Sequence, residues 1–218
     1  MHTVFLLGDS TCAAKLPETW PETGWGMCFA PFLKWDWRLD NRAVNGLSSR
    51  LALDSGVFEN LARDAKEGDY VVVQFGHNED KPDKERHTFP WTTYRENLVF
   101  MVRRLRAKNV RPVFLSSIER RRFDRYGKAY DTLREYPLAM EACAKSLGIP
   151  FYDMTHPTLA LLDELGEERS RILFNQGIWP NYPDGVEDNT HLSLYGAQSI
   201  AGMIATLLSP LPFVRTGI

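Results

Sequence analysis

The sequence is short of the features that classify a chain most quickly. It holds three cysteines in 218 residues, Cys12, Cys28 and Cys143. An odd, sparse set builds no disulfide framework. Cys28 and Cys143 are read as small core residues; Cys12, two residues past Ser10, is placed to line whatever site forms there. Charge of one sign is not in excess either. The 26 basic and 28 acidic side chains are interspersed and give a net charge of -2, which is no electrostatic footprint for nucleic acid. No apolar run approaches the ~20 residues that a membrane-spanning helix requires. No basic-then-apolar leader precedes the first apolar stretch, so the expected location is cytoplasmic. There is no internal repeat, low-complexity tract or linker. With 44% hydrophobic residues, one domain over 1–218 with a full-sized core is the expectation.

What is there begins at the third residue. Thr3-Val4-Phe5-Leu6-Leu7 runs straight into Gly8-Asp9-Ser10-Thr11. A short apolar run closed by glycine and small polar residues reads as a buried strand ending in a tight turn. Further strands are expected at Leu39 to Val44, Asp69 to Phe75, Pro112 to Ser117 and Pro150 to Asp153. Between them lie helical patterns. Met27 to Leu33 reads as a short buried helix, and Ser48 or Ser49 can cap the one that carries Phe58, Leu61, Ala62 and Ala65. Tyr94, Leu98, Met101, Val102 and Leu105 mark one helix face. Leu133 to Leu147 closes on Gly148 as C-cap. Helical segments follow to about Asn175, an irregular loop spans Gln176 to Thr190, and a last helix runs from Ser193 to Leu208.

Strands alternating with helices predict an α/β fold, a parallel sheet covered on both faces. Five strands suit the flavodoxin-like order 2-1-3-4-5. In that order strand 1 lies between strands 2 and 3. Ser10, Gly46 and Asn78 then sit on neighbouring loops at the carboxyl ends of the strands, where ligands bind in such sheets.

A serine there can act as a nucleophile if a histidine and an orienting carboxylate reach it. Of five histidines, His2 is at the wrong end of strand 1, His87 lies in a polar loop, and His156 belongs to a helix start. His77 follows strand 3 and is close to the right place. His191 is the strongest candidate, because Asp188 precedes it by three residues, a spacing that can aim both side chains the same way. Asp188 and Thr190 as simple caps, with His191 on the surface, is the competing reading. Donors for an oxyanion are available in the Ser10 N–H, the Gly46 N–H and the Asn78 amide. His77, Glu79, Asp80 and His87 match no recurrent metal-ligand spacing, so no metal or other cofactor is expected.

In chain order, Gly8-Asp9-Ser10, Gly46, Asn78 and Asp188-X-X-His191 resemble the four blocks of the SGNH (GDSL-type) hydrolases. The fuller strings are similar to the rhamnogalacturonan acetylesterase branch: Gly-Asp-Ser-Thr, Asn45-Gly46-Leu47-Ser48-Ser49-Arg50, Gly76-His77-Asn78, and Asp188-Asn189-Thr190-His191-Leu192-Ser193. The resemblance covers nearly the whole chain. It implies a three-layer α/β/α sandwich. It also implies Ser10 as nucleophile, His191 as base, Asp188 as its partner, and Ser10, Gly46 and Asn78 as oxyanion donors. One residue departs: Glu79 stands where that branch usually has aspartate.

Beyond the chemistry, Trp25, Trp91 and Trp179 lie in loops, and Trp179 directly precedes the Asp188 block. Flat aromatic faces can stack on sugars. Arg120 and Arg121 follow strand 4, and arginine forks suit uronate carboxylates. With the resemblance, these features predict an esterase acting on O-acetylated, pectin-derived saccharides. A general short-acyl esterase or thioesterase and a non-catalytic saccharide-binding module are the alternatives. The sequence leaves the oligomeric state open.

Overall fold

The computed structural model describes residues 1–215. Its architecture follows from the first apolar run. That run forms β1, His2–Gly8, in which Val4, Phe5, Leu6 and Leu7 are all at most 1% exposed. Successive side chains of a strand point to opposite faces. A strand apolar at every position therefore has to be covered on both sides, each such side chain contributing about 1.5–3 kcal/mol by leaving water.

The other strands are β2 (Trp37–Asn41), β3 (Tyr70–Gln74), β4 (Arg111–Leu115) and β5 (Phe151–Tyr152). They pair in parallel in the order β2-β1-β3-β4-β5, as the alternation of elements predicts. The helices are α1 (Ser49–Asp54), α2 (Val57–Asp64), α3 (Arg95–Arg106), α4 (Tyr136–Leu147), α5 (Thr155–Arg169, broken at Gly166) and α6 (Leu194–Leu207). Phe5, Leu7, Val71 and Val73 pack beneath α1 to α4, through Ala52, Phe58, Leu98 and Met140. Val4, Leu6, Val72 and Val113 pack beneath α5 and α6, through Leu162, Ala197, Ile200 and Ile204. The result is three layers, α/β/α.

Several boundaries differ from the sequence expectation. β2 spans Trp37–Asn41 rather than Leu39 to Val44. It is a half-buried edge strand, so its apolar pattern is weak, and Arg42 and Val44 still donate to Leu6 and Gly8 beyond its end. Met27 to Leu33 is not one helix but lies across two 3-10 turns, Trp25–Cys28 and Ala30–Phe32. Pro31 has no N–H with which to continue a helix. α4 begins at Tyr136, not Leu133, because Arg134 is left-handed (φ 57°) and Asp131 takes up the N–H groups of Leu133 and Arg134. Ser48 is a cap, accepting from Leu51 N, but of the short α1. Phe58, Leu61 and Ala62 lie on a separate helix, α2, that starts after Gly56 (φ 77°), and Gly148 (φ 59°) ends α4 as expected.

The largest difference is at Gln176 to Thr190. This stretch is an antiparallel hairpin, β6 (Phe174–Trp179) and β7 (Tyr182–Leu192), turning at Pro180-Asn181. Its exposed residues show no alternation. Cross-strand pairing builds it, and Asn181 anchors its tip to the carbonyls of Pro17 and Trp20.

Candidate active site

The turn after β1 is set by a buried polar network. Gly8 lies beside Gln74 in the sheet, so close that a Cβ on it would stand 2.9 Å from the Gln74 carbonyl oxygen. Asp9, fully buried, accepts from Thr11 N (2.9 Å), Thr11 Oγ1 (2.8 Å) and Gln74 Nε2 (3.1 Å). Gln74 also donates to Ser117 Oγ (2.7 Å) and accepts from Trp25 Nε1 (3.3 Å). Both hydrogens of its amide are used. The network holds the Ser10 turn rigidly at the sheet edge. Sequence reasoning missed Gln74; the signal was a polar residue ending the run Val71-Val72-Val73.

Ser10 Oγ lies 2.9 Å from His191 Nε2, and His191 Nδ1 lies 2.6 Å from Asp188 Oδ2. Asp188 Oδ1 accepts from Thr190 N (2.8 Å) and His191 N (2.9 Å), which fixes the carboxylate relative to the ring. Burial pushes the Asp188 carboxyl up. The His191 hydrogen bond and charge and the two backbone donors outweigh it, and its pKa lies below the usual value. An ionised carboxylate on Nδ1–H leaves Nε2 as the acceptor facing Ser10, the arrangement a serine nucleophile needs. The same carboxylate serves backbone and imidazole, accepting from Thr190 N and His191 N as well as meeting His191 Nδ1.

Gly46 follows β2 with φ 77°, a left-handed conformation suited to glycine. Neither its N–H nor that of Ser10 meets an acceptor among the described residues. The Asn78 amide donates one hydrogen to Leu47 O (3.1 Å), which joins the loop after β3 to the Gly46 loop. Glu79 makes a second tie. Buried and directed at the start of α1, its Oε1 accepts from Ser49 N at 2.6 Å. Burial, aided by Asp9, raises its pKa to about 8 against the Ser49 hydrogen bonds.

A buried ion pair stands beside the imidazole. Glu22 Oε1 is 3.9 Å from His191 Nε2 and is paired with the Lys15 ammonium, whose side chain is 2% exposed. Lys15 also donates to Asn45 Oδ1 (2.9 Å), next to Gly46. Nothing in the spacing of Lys15, Glu22 and Asn45 announced this contact.

Other expected residues are elsewhere engaged. His77 is buried and has no hydrogen bond to Ser10. Burial lowers its pKa to about 4, with Arg120 and His191 adding to the effect against Asp9. Trp25 is buried on Gln74, and Trp91 donates to Glu135. Trp179, 37% exposed, sits next to the hairpin turn with its N–H on Gln176 O. Arg121 is not a free fork. It is buried, donating to Ser170 Oγ, Asn189 Oδ1 and Glu167 O, and it braces the segment that carries Asp188. Arg120 donates to His77 O (2.8 Å) and to Thr132.

A family model described as GDSL-like lipase/acylhydrolase matches residues 6–198. The chain belongs to this family. It is therefore a carboxylic ester hydrolase. The esterase is 40% identical over 208 residues to the Bacillus subtilis (strain 168) protein named rhamnogalacturonan acetylesterase RhgT, covering 93% of this chain and 87% of that one. Among solved structures, the YxiM protein of Bacillus subtilis superposes with a TM-score of 0.81 at 22% identity, over 96% of this chain and 56% of that longer one. Axe2, an acetylxylan esterase from Geobacillus stearothermophilus, gives 0.69 at 18% identity, over 99% and 97%. At these identities the two structures bear on the fold alone.

Proposed function

We propose that this esterase removes O-acetyl groups from pectin-derived, rhamnogalacturonan-type saccharides, with Ser10 as nucleophile. The observation that carries the reading is the hydrogen-bonded chain Ser10–His191–Asp188 at the carboxyl edge of the sheet. The similarity to RhgT supports the substrate class.

The chemistry runs as follows. Ser10 Oγ attacks the acetyl carbonyl carbon while His191 Nε2 takes its proton. Asp188 stabilises the imidazolium without accepting the proton itself. The carbonyl oxygen becomes an oxyanion, held by the N–H groups of Ser10 and Gly46 and the Asn78 amide. These donors are fixed before the reaction and need not reorganise. Collapse breaks the bond to the sugar oxygen, which leaves with the proton from His191. Water, deprotonated by His191, then attacks acetyl-Ser10; the bond from the acyl carbon to Oγ breaks, His191 returns the proton to Oγ, and acetate leaves.

The test is acetate release from acetylated rhamnogalacturonan oligosaccharides, with p-nitrophenyl acetate in parallel, by wild type and Ser10→Ala. The wild type is expected to act on both and the variant on neither. Cleavage of the small ester alone would move the reading to a general short-acyl esterase. Equal activity of Ser10→Ala and wild type would remove the nucleophile and leave a saccharide-binding module.

A further inference from the structure

Arg121 is buried and Arg120 is tied to His77 and Thr132. Arg86, in the loop after Glu79, brings a guanidinium toward Gly46. Arg86 Nε donates to both oxygens of Asp83 (3.0 and 2.9 Å), and Nη2 to Asp83 Oδ2 (2.5 Å). Its backbone N–H reaches the same carboxylate at 3.1 Å. The guanidinium is thus pinned along one edge, and a pinned fork loses little freedom on meeting a ligand. The other edge is free, since Nη1 has no acceptor among the described residues.

Nη1 stands 3.9 Å from the position a Cβ on Gly46 would occupy, and apart from the residues on either side of Gly46 no other group lies within 4 Å of that position. An ideal Cβ is about 2.5 Å from its own amide nitrogen, so Nη1 lies within about 6.4 Å of the Gly46 N–H. That span is within the reach of one pyranose ring. An ester carbonyl at the Gly46 donor would leave a charged group on the same or the adjoining sugar beside Arg86. The side chain is 33% exposed, open to ligand yet partly shielded from water.

We propose that Arg86 is the subsite for a uronate carboxylate, so that the enzyme prefers acetyl esters on saccharides whose carboxyl group is free over the same esters with that carboxyl methylated. The proposal rests on the saccharide reading above. A charge-assisted, planar pairing of guanidinium with carboxylate is lost when the carboxylate becomes a neutral ester.

The experiment compares kcat/KM for acetate release from an O-acetylated galacturonate methyl glycoside, as the free acid and as its methyl ester. The expected acid-to-ester ratio for wild type is on the order of tenfold. Arg86→Gln should bring it close to one, and Arg86→Lys should keep an intermediate value. A ratio taken within each variant cancels any loss of folded or active protein common to both substrates. A wild-type ratio near one, or one unchanged in Arg86→Gln, overturns the subsite and leaves the acetylesterase reading standing. If p-nitrophenyl acetate is cleaved but neither sugar releases acetate, the saccharide reading falls and the subsite falls with it.

Discussion

The molecule contains the same four-residue arrangement twice, and only one copy has a serine in front of it. Asp188-Asn189-Thr190-His191 and Asp153-Met154-Thr155-His156 share Asp, Thr and His at the same spacing. In both, Oδ1 accepts from the threonine N–H, at 2.8 and 2.9 Å, and from the histidine N–H, at 2.9 and 3.4 Å. In both, Oδ2 meets the imidazole Nδ1, at 2.6 and 2.5 Å. The surroundings differ. His191 presents Nε2 to Ser10 and is partly enclosed, whereas the His156 side chain, after β5, is 74% exposed. The same Asp–His geometry thus recurs with the same spacing. What sets the Asp188 copy apart is the sheet order, which brings the turn after β1 to it, and the hairpin braced by Arg121.

That contrast separates what was legible in the chain from what was not. Strand order and the two covered faces followed from apolar runs alternating with helical patterns, and Ser10, Gly46 and Asn78 were locatable as strand ends. The hairpin was not, because its residues are held by cross-strand and tip contacts rather than by a buried stripe. The contacts of Lys15 with Glu22 and Asn45 were equally invisible, since they join segments whose approach depends on the finished fold. The engagement of Arg121 was hidden for a related reason. Charge in a loop after a strand says nothing about which guanidinium is already satisfied by carbonyls.

The sharpest way to break the comparison is to neutralise each aspartate. In Asp188→Asn, Oδ1 can still accept from Thr190 and His191, so the loop should hold. The new NH2 group facing Nδ1 would favour the tautomer that carries its proton on Nε2, and Ser10 would lose its acceptor. A kcat loss of about 10⁴ is expected with the melting temperature nearly unchanged. Asp153→Asn makes the same chemical change to the second copy and should leave kcat within about twofold. Equal losses in the two variants would show that the copies are coupled.

A smaller effect should appear in pH dependence, because a buried carboxyl, Glu79, ties the loops around the first copy. Glu79 has a folded pKa of about 8 against an ordinary value of 4.5. Between those values the folded chain keeps a proton that the unfolded chain releases. The stabilisation is fully present below pH 4.5 and is lost as pH rises through about 8. Glu79→Gln, neutral throughout, should lack this loss. Glu119, raised to about 7 mainly by burial, acts in the same direction but is common to both proteins. The difference in melting temperature between Glu79→Gln and wild type should therefore widen in favour of the variant from pH 5 to 9, by on the order of a few degrees. Parallel curves would mean that the carboxyl ionises without cost to the fold.

The smallest expected effect is the most informative about the comparison itself. His156→Ala removes an imidazole held as firmly by its aspartate as His191 is by Asp188. Ser116 Oγ and Thr155 N still satisfy the Asp153 carboxylate from behind, so the start of α5 keeps its cap. The lost contact is exposed, and even exposed charged pairs contribute less than about 1 kcal/mol. Activity within about twofold of wild type, with a melting temperature shifted by no more than about 4 °C, is therefore expected. That result would assign the catalytic power of the Asp-X-X-His pattern wholly to what faces Nε2. A tenfold or greater fall in kcat on acetylated saccharides, with p-nitrophenyl acetate hydrolysis unaffected, would instead place His156 in contact with the extended substrate. The second copy would then be a working part of the enzyme rather than a helix cap that shares its geometry.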